Sequence, residues 1–93
     1  MREKQIEEKL VRAVRRREGL CPKFVSPGSS GMPDRLILLP KGRMAFAEIK
    51  ASGKKSRALQ LARHRQLGRL GFPVYVIDSA DMIGGVLDEV SAT

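Results

Sequence analysis

The sequence predicts an α/β domain, a mixed sheet flanked by helices in the order α-β-β-β-α-β-α. Three observations support this. A Gly- and Pro-free amphipathic run opens the chain, two apolar runs flank a tight turn near residue 41, and a second helical run separates that pair from a further apolar segment. Residues 2–18 place Ile6, Leu10, Ala13 and Val14 at helical intervals, and Gly19 supplies a stop. Lys23-Phe24-Val25 reads as a short strand, and Ser26–Gly31 as a loop whose backbone amides suit an anionic group. Strands follow at Arg35–Leu39 and Met44–Lys50. A helix capped by Ser56 runs to about Leu70 with Gly71 as terminator, and residues 72–77 form a buried strand. A closing helix spans 81–90 despite the cost of Gly84-Gly85. The helix between Lys50 and Phe72 is long enough to serve as a crossover to a parallel strand.

Ninety-three residues imply one domain, 1–93, whose core buries roughly two-thirds of the surface of the unfolded chain. A formal charge of +8 with 42% hydrophobic residues describes a folded basic domain and not a disordered tail. Nucleic acid is the expected partner. The lone Cys21 excludes an internal disulfide framework, and no apolar run approaches the ~20 residues of a membrane span. With no charged-then-apolar leader, an intracellular, cytoplasmic setting is expected, with neither a membrane nor a small-molecule cofactor as partner.

The chemistry concentrates at one hairpin. Pro40-Lys41-Gly42 fits a three-residue loop, with a type I turn followed by a left-handed glycine bulge. In that register Leu39 faces Arg43, Leu38 faces Met44 and Leu36 faces Phe46, which sets Asp34 opposite Glu48 on one face of the sheet. A two-residue turn would send the two carboxylates to opposite faces. Lys50, two residues beyond Glu48, projects from the same side.

Adjacent carboxylates repel, and a cation between them offsets that cost. Mg²⁺ or Mn²⁺ is the expected ion, since both favour oxygen ligands and share their shell with phosphate oxygens; the Ile49 carbonyl is a further donor. Lys50 would orient or deprotonate an attacking water, or neutralise charge growing on the phosphate. From the first helix Glu7 is the preferred third acid, with Glu3 in reserve; both border the apolar stripe, and Glu8 points away. Gln60 shares a face with His64 and Leu67 on the second helix, from which it can reach the site.

Basic residues cluster at Arg15-Arg16-Arg17, at Lys54, Lys55 and Arg57, and at Arg63, Arg65 and Arg69. The Lys54-Lys55-Arg57 group follows the Glu48-Ile49-Lys50 strand end closely enough to guide a DNA backbone toward the metal, with Lys23 and Ser30 as further contacts. His64 reads as a surface or phosphate-contacting residue, Cys21 as a small buried side chain, and Tyr75 and the three phenylalanines as core.

Taken together, Gly31-x-Pro33-Asp34, Glu48-x-Lys50 and Gln60 on the following helix resemble the PD-(D/E)XK nucleases, and within them the virus-type replication-repair nuclease (VRR-NUC) domain. The likeness covers nearly the whole chain. It implies a restriction-endonuclease-like fold and divalent-metal phosphodiester hydrolysis, with Glu7, Asp34, Glu48, Lys50 and Gln60 at the active-site positions. Stand-alone members of this size are similar to phage or bacterial proteins that dimerise and cut branched DNA, including four-way junctions. Two other functions compete with this one. A non-catalytic nucleic-acid-binding module would use the same basic surface, but carboxylates beside the phosphate path would weaken it. A recruitment subunit of a replication or repair complex would display a large exposed apolar patch.

Overall fold

The computed structural model describes residues 1–92. Its elements are α1 (Glu3–Arg16), β1 (Arg35–Leu39), β2 (Arg43–Ile49), α2 (Ala58–Arg69), β3 (Val74–Ile77) and α3 (Ile83–Ala92), with short 3₁₀ turns at Pro40–Gly42 between β1 and β2 and at Ala80–Met82 before α3. They form a mixed three-stranded sheet ordered β1-β2-β3, in which β1 and β2 are antiparallel and β2 and β3 parallel through the α2 crossover. The expected α/β class is therefore the observed one.

The hairpin register is the expected one: Leu39 pairs with Arg43, Leu38 with Met44 and Leu36 with Phe46. The turn reaches it by another conformation. Lys41 is left-handed (φ 69°, ψ 27°), as is Gly42 (φ 72°), whereas a type I turn keeps its second central residue near −90°. Loop length, not turn type, sets the register here.

One face of the sheet is sealed. Ile37, Ala45 and Ala47 pack with Ile6, Leu10 and Val14 of α1 and Leu87 and Val90 of α3, all at most 1% exposed. The apolar stripe of α1 lies where helical periodicity places it. Gly19 does not terminate that helix. Glu18 takes the left-handed position (φ 65°), and the Glu18 and Gly19 amides bond back to the carbonyls of Arg15 and Val14 in a Schellman closure. Gly19 has a different constraint: a Cβ there would lie 2.3 Å from the Leu38 carbonyl oxygen, so only glycine lets the chain pass β1.

Several element boundaries differ from expectation. The strand expected at Lys23-Phe24-Val25 is reduced to isolated antiparallel bridges, Leu20 to Leu38 and Lys23 to Arg35. Pro22 sits between them and can offer only its carbonyl, which accepts from Leu36 at 3.0 Å. Ser56 is not the cap of α2: Arg57 is, and the Gln60 side chain accepts the Arg57 amide proton at 2.9 Å. Gly71 terminates α2 as expected, left-handed at φ 95°. The strand expected to be buried at 72–77 begins at Val74 and is mostly half-buried, because it forms the open edge of the sheet. Phe72, expected in the core, is exposed on that edge. Among the described residues no helix is long and apolar enough to cross a membrane.

Candidate active site

The site lies where β1 begins and β2 ends. Continuing the hairpin register by one residue sets Asp34 against Glu48, and Asp34 Oδ2 accepts the Ile49 amide proton at 3.0 Å. Gly31 (φ 79°) carries the preceding loop so close to α2 that a Cβ would lie 2.9 Å from the Leu59 carbonyl oxygen, and Pro33 beyond it is fully buried. Those two residues anchor Asp34 to the helix that also bears Gln60.

Glu48 is 2% exposed, an unusual burial for a carboxylate. Its Oε2 accepts from Gln60 Nε2 at 2.8 Å and lies 3.2 Å from Lys50 Nζ, while Lys50 also donates to Gln60 Oε1 at 3.0 Å. Gln60 Oε1 therefore receives both the Lys50 ammonium and the Arg57 amide, which fixes the orientation of its amide group. The other Glu48 oxygen, Oε1, is buried with no hydrogen-bond partner. Burial first, then the charge of Asp34, pushes the Glu48 carboxyl above its usual range, and Lys50 opposes the shift.

These groups open onto a pocket of about 460 Å³ whose wall includes Asp34, Glu48, Ile49, Lys50 and Gln60. Glu3, Glu7 and Lys23 border it from the other side. A buried carboxylate oxygen without a donor, beside a second carboxylate, fits a hard divalent cation. Asp34, Glu48 and the Ile49 carbonyl are the available donors. Among the described residues no three acidic, histidine or cysteine side chains are grouped to hold an ion. Glu7 does not complete such a group because Arg35 engages it: Arg35 Nε donates to Glu7 Oε2 at 2.9 Å and its other arm to the Cys21 carbonyl at 2.6 Å. Strand alternation directs Arg35 toward α1, together with Ile37 and Leu39, away from the Glu48 face.

The basic candidates separate. Lys23 and Arg57 border the main pocket, whereas Lys54 and Lys55 line an adjoining one that shares Glu3, Lys50 and Arg57 with it. Ser30 lies outside both, with its carbonyl accepting from Arg63 Nε at 3.3 Å. His64, expected at the surface, is instead 9% exposed with both ring nitrogens unpartnered. It shares the inward face of α2 with Gln60 and Leu67 and is closed off from direct phosphate contact; burial, then Lys50, lowers its pKa. Cys21 is buried as expected, and burial raises its thiol to about 11.

Sequence reading missed the Arg35 clamp. A charged residue in the inward phase of an apolar strand, next to a helix bearing Glu7, was the available signal.

A mixed sheet with one buried carboxylate, a neighbouring aspartate and a lysine two residues on defines a restriction-endonuclease-like domain. A solved structure described as "VRR_NUC domain" matches with a TM-score of 0.86 and 28% identity, over 92% of this chain and 94% of that one. A curated relative, "Putative nuclease p44" of Acyrthosiphon pisum secondary endosymbiont phage 1, is 49% identical over 82 residues, 88% of each protein. No protein-family model matches. The chain belongs to the VRR-NUC family of the PD-(D/E)XK nucleases.

Proposed function

We propose that this protein is a divalent-metal-dependent DNA endonuclease that hydrolyses phosphodiester bonds, selects branched DNA such as four-way junctions by shape, and acts as a homodimer. The observation that carries this reading is the unpartnered Glu48 Oε1 beside Asp34 in an open pocket that adjoins the cations Lys54, Lys55 and Arg57. Mg²⁺ or Mn²⁺ held by Asp34, Glu48 and the Ile49 carbonyl would neutralise the scissile phosphate and lower the pKa of an attacking water.

The chain's own residues do the rest. Gln60 holds Glu48 and Lys50 in one arrangement by bonding to both. Lys50 uses one N–H on Gln60 and faces Glu48 with another, which leaves a third donor for a phosphate oxygen or the incoming water. Lys54, Lys55 and Arg57 meet the backbone beside the cut without reading bases. Cutting two strands needs two such sites, and one chain supplies one. The exposed Leu70 and Phe72 at the end of α2 offer apolar surface for pairing.

The test is to incubate labelled linear, flap and four-way DNA with the protein and Mg²⁺, Mn²⁺ or chelator, alongside Asp34→Ala and Lys50→Ala. Metal-dependent cutting that both substitutions abolish is expected, strongest on the branched substrate. Binding without cutting by the folded protein in every metal would refute the enzyme reading.

A further inference from the structure

A second groove, of about 520 Å³, continues from the site pocket along the outer face of α1 and shares Glu7 and Lys23 with it. Its cations beyond Lys23 are Lys4, Arg12, Arg15 and Arg35, against the carboxylates of Glu7 and Glu8. Arg35 and Glu7 satisfy one another at 2.9 Å. Among the described residues Lys4, Arg12, Arg15 and Lys23 make no ion pair or side-chain hydrogen bond. The arginine run at the end of α1 is thereby divided: Arg15 faces this groove, whereas Arg17 is held 2.9 Å from Asp88 on the opposite side. Four cations without partners in one concavity carry a repulsion that a polyanion would relieve.

We propose that this groove is the track for the DNA strand on the far side of the scissile phosphate, opposite the Lys54-Lys55-Arg57 side. This inference rests on the nuclease reading for its occupant. At 1.5 Å per residue, Lys4 to Arg15 extends roughly 16 Å along α1, about five steps of a strand that rises ~3.4 Å per nucleotide. The pocket at Asp34 and Glu48 thus lies between two cationic arms: Lys50, Arg57 and Glu3 join it to one, Glu7 and Lys23 to the other. A site open at both ends accepts an internal phosphodiester with strand continuing in both directions, which is the requirement of an endonuclease. The contacts are to phosphates, so the arm adds grip and not sequence choice. Glu8 is the one unneutralised carboxylate in the groove and opposes the strand.

The experiment measures affinity for a fluorescent four-way junction and a duplex in chelator, from 50 to 200 mM salt, so that no cutting occurs. Arg12→Gln/Arg15→Gln is compared with Lys9→Gln/Lys41→Gln, which removes the same charge elsewhere, and Glu8→Gln provides the opposite change. The first variant should flatten the slope of log affinity against log salt by roughly 0.9 per lost phosphate contact, the control should change it little, and Glu8→Gln should tighten binding. Equal slopes for the first variant and the control, with both folded by circular dichroism, would overturn the track. Failure of the nuclease reading would appear separately, as absence of metal-dependent cutting by the wild-type protein.

Discussion

Where the sheet meets α1 and α3, Ile37, Ala45, Ala47 and Ile77 are essentially inaccessible, whereas on the α2 side Leu36, Leu38, Met44, Val74 and Val76 stay half-buried. Phe46 and Glu48 are the buried strand residues on that side, Phe46 with its ring edge against Phe24 and Glu48 held by Gln60 of α2. The first face is apolar at its centre, with the Arg35–Glu7 pair at its border. The second holds a carboxylate and a histidine that are buried without complete partners. The difference teaches where each property resides: stability lies in the sealed layer, and chemistry lies where thin coverage leaves charge both desolvated and accessible to a ligand.

The comparison breaks most visibly at Leu10. Leu10→Ala opens a cavity in the sealed face and should cost about 2–5 kcal/mol in urea unfolding, while cleavage per folded molecule remains within a few-fold of wild type. Glu48→Gln should do the reverse. Cleavage under single-turnover conditions is expected to fall by about 10²–10³-fold, with the urea midpoint at or above wild type because burial and Asp34 both disfavour the lost charge. If activity and stability moved together in both variants, the division between faces would not hold.

A third measurement adds the ion. Mg²⁺ at a hundred times its dissociation constant should stabilise the wild type by about 2.7 kcal/mol, and Asp34→Asn/Glu48→Gln should show no such gain. Acid should erase the gain early, since Glu48 takes up its proton above the usual carboxylate range. The smallest effect concerns His64, whose folded pKa lies below its unfolded value of about 6.5. Between those values the unfolded chain binds more protons than the native one, so stability rises with pH through that window and is lost on acidification. His64→Leu should remove this component of the pH profile, and an unchanged profile would show that the ring is solvated.

Much of this was legible in the chain. The 3.6-residue stripe of Ile6, Leu10 and Val14 has one possible buried side, and the three-residue loop at Pro40–Gly42 allows one register, so the α1 face and the Asp34–Glu48 pairing follow from local rules. His64 misled because a single histidine among arginines looks solvated; only the docking of α2 on the sheet encloses it. The strand at Lys23 failed for a local reason that was visible, the proline at position 22.

By itself, then, the sequence determined the helices, the hairpin register and the face shared by Asp34, Glu48 and Lys50, because periodicity and loop length act over a few residues. Tertiary structure decided what each charge meets. Arg35 claims Glu7 across 28 positions of chain, Gln60 reaches back 12 to Glu48, and the cations of α1 are left facing an open groove. Such pairings depend on how helices dock against a sheet, a distance set by the whole core and written in no single segment.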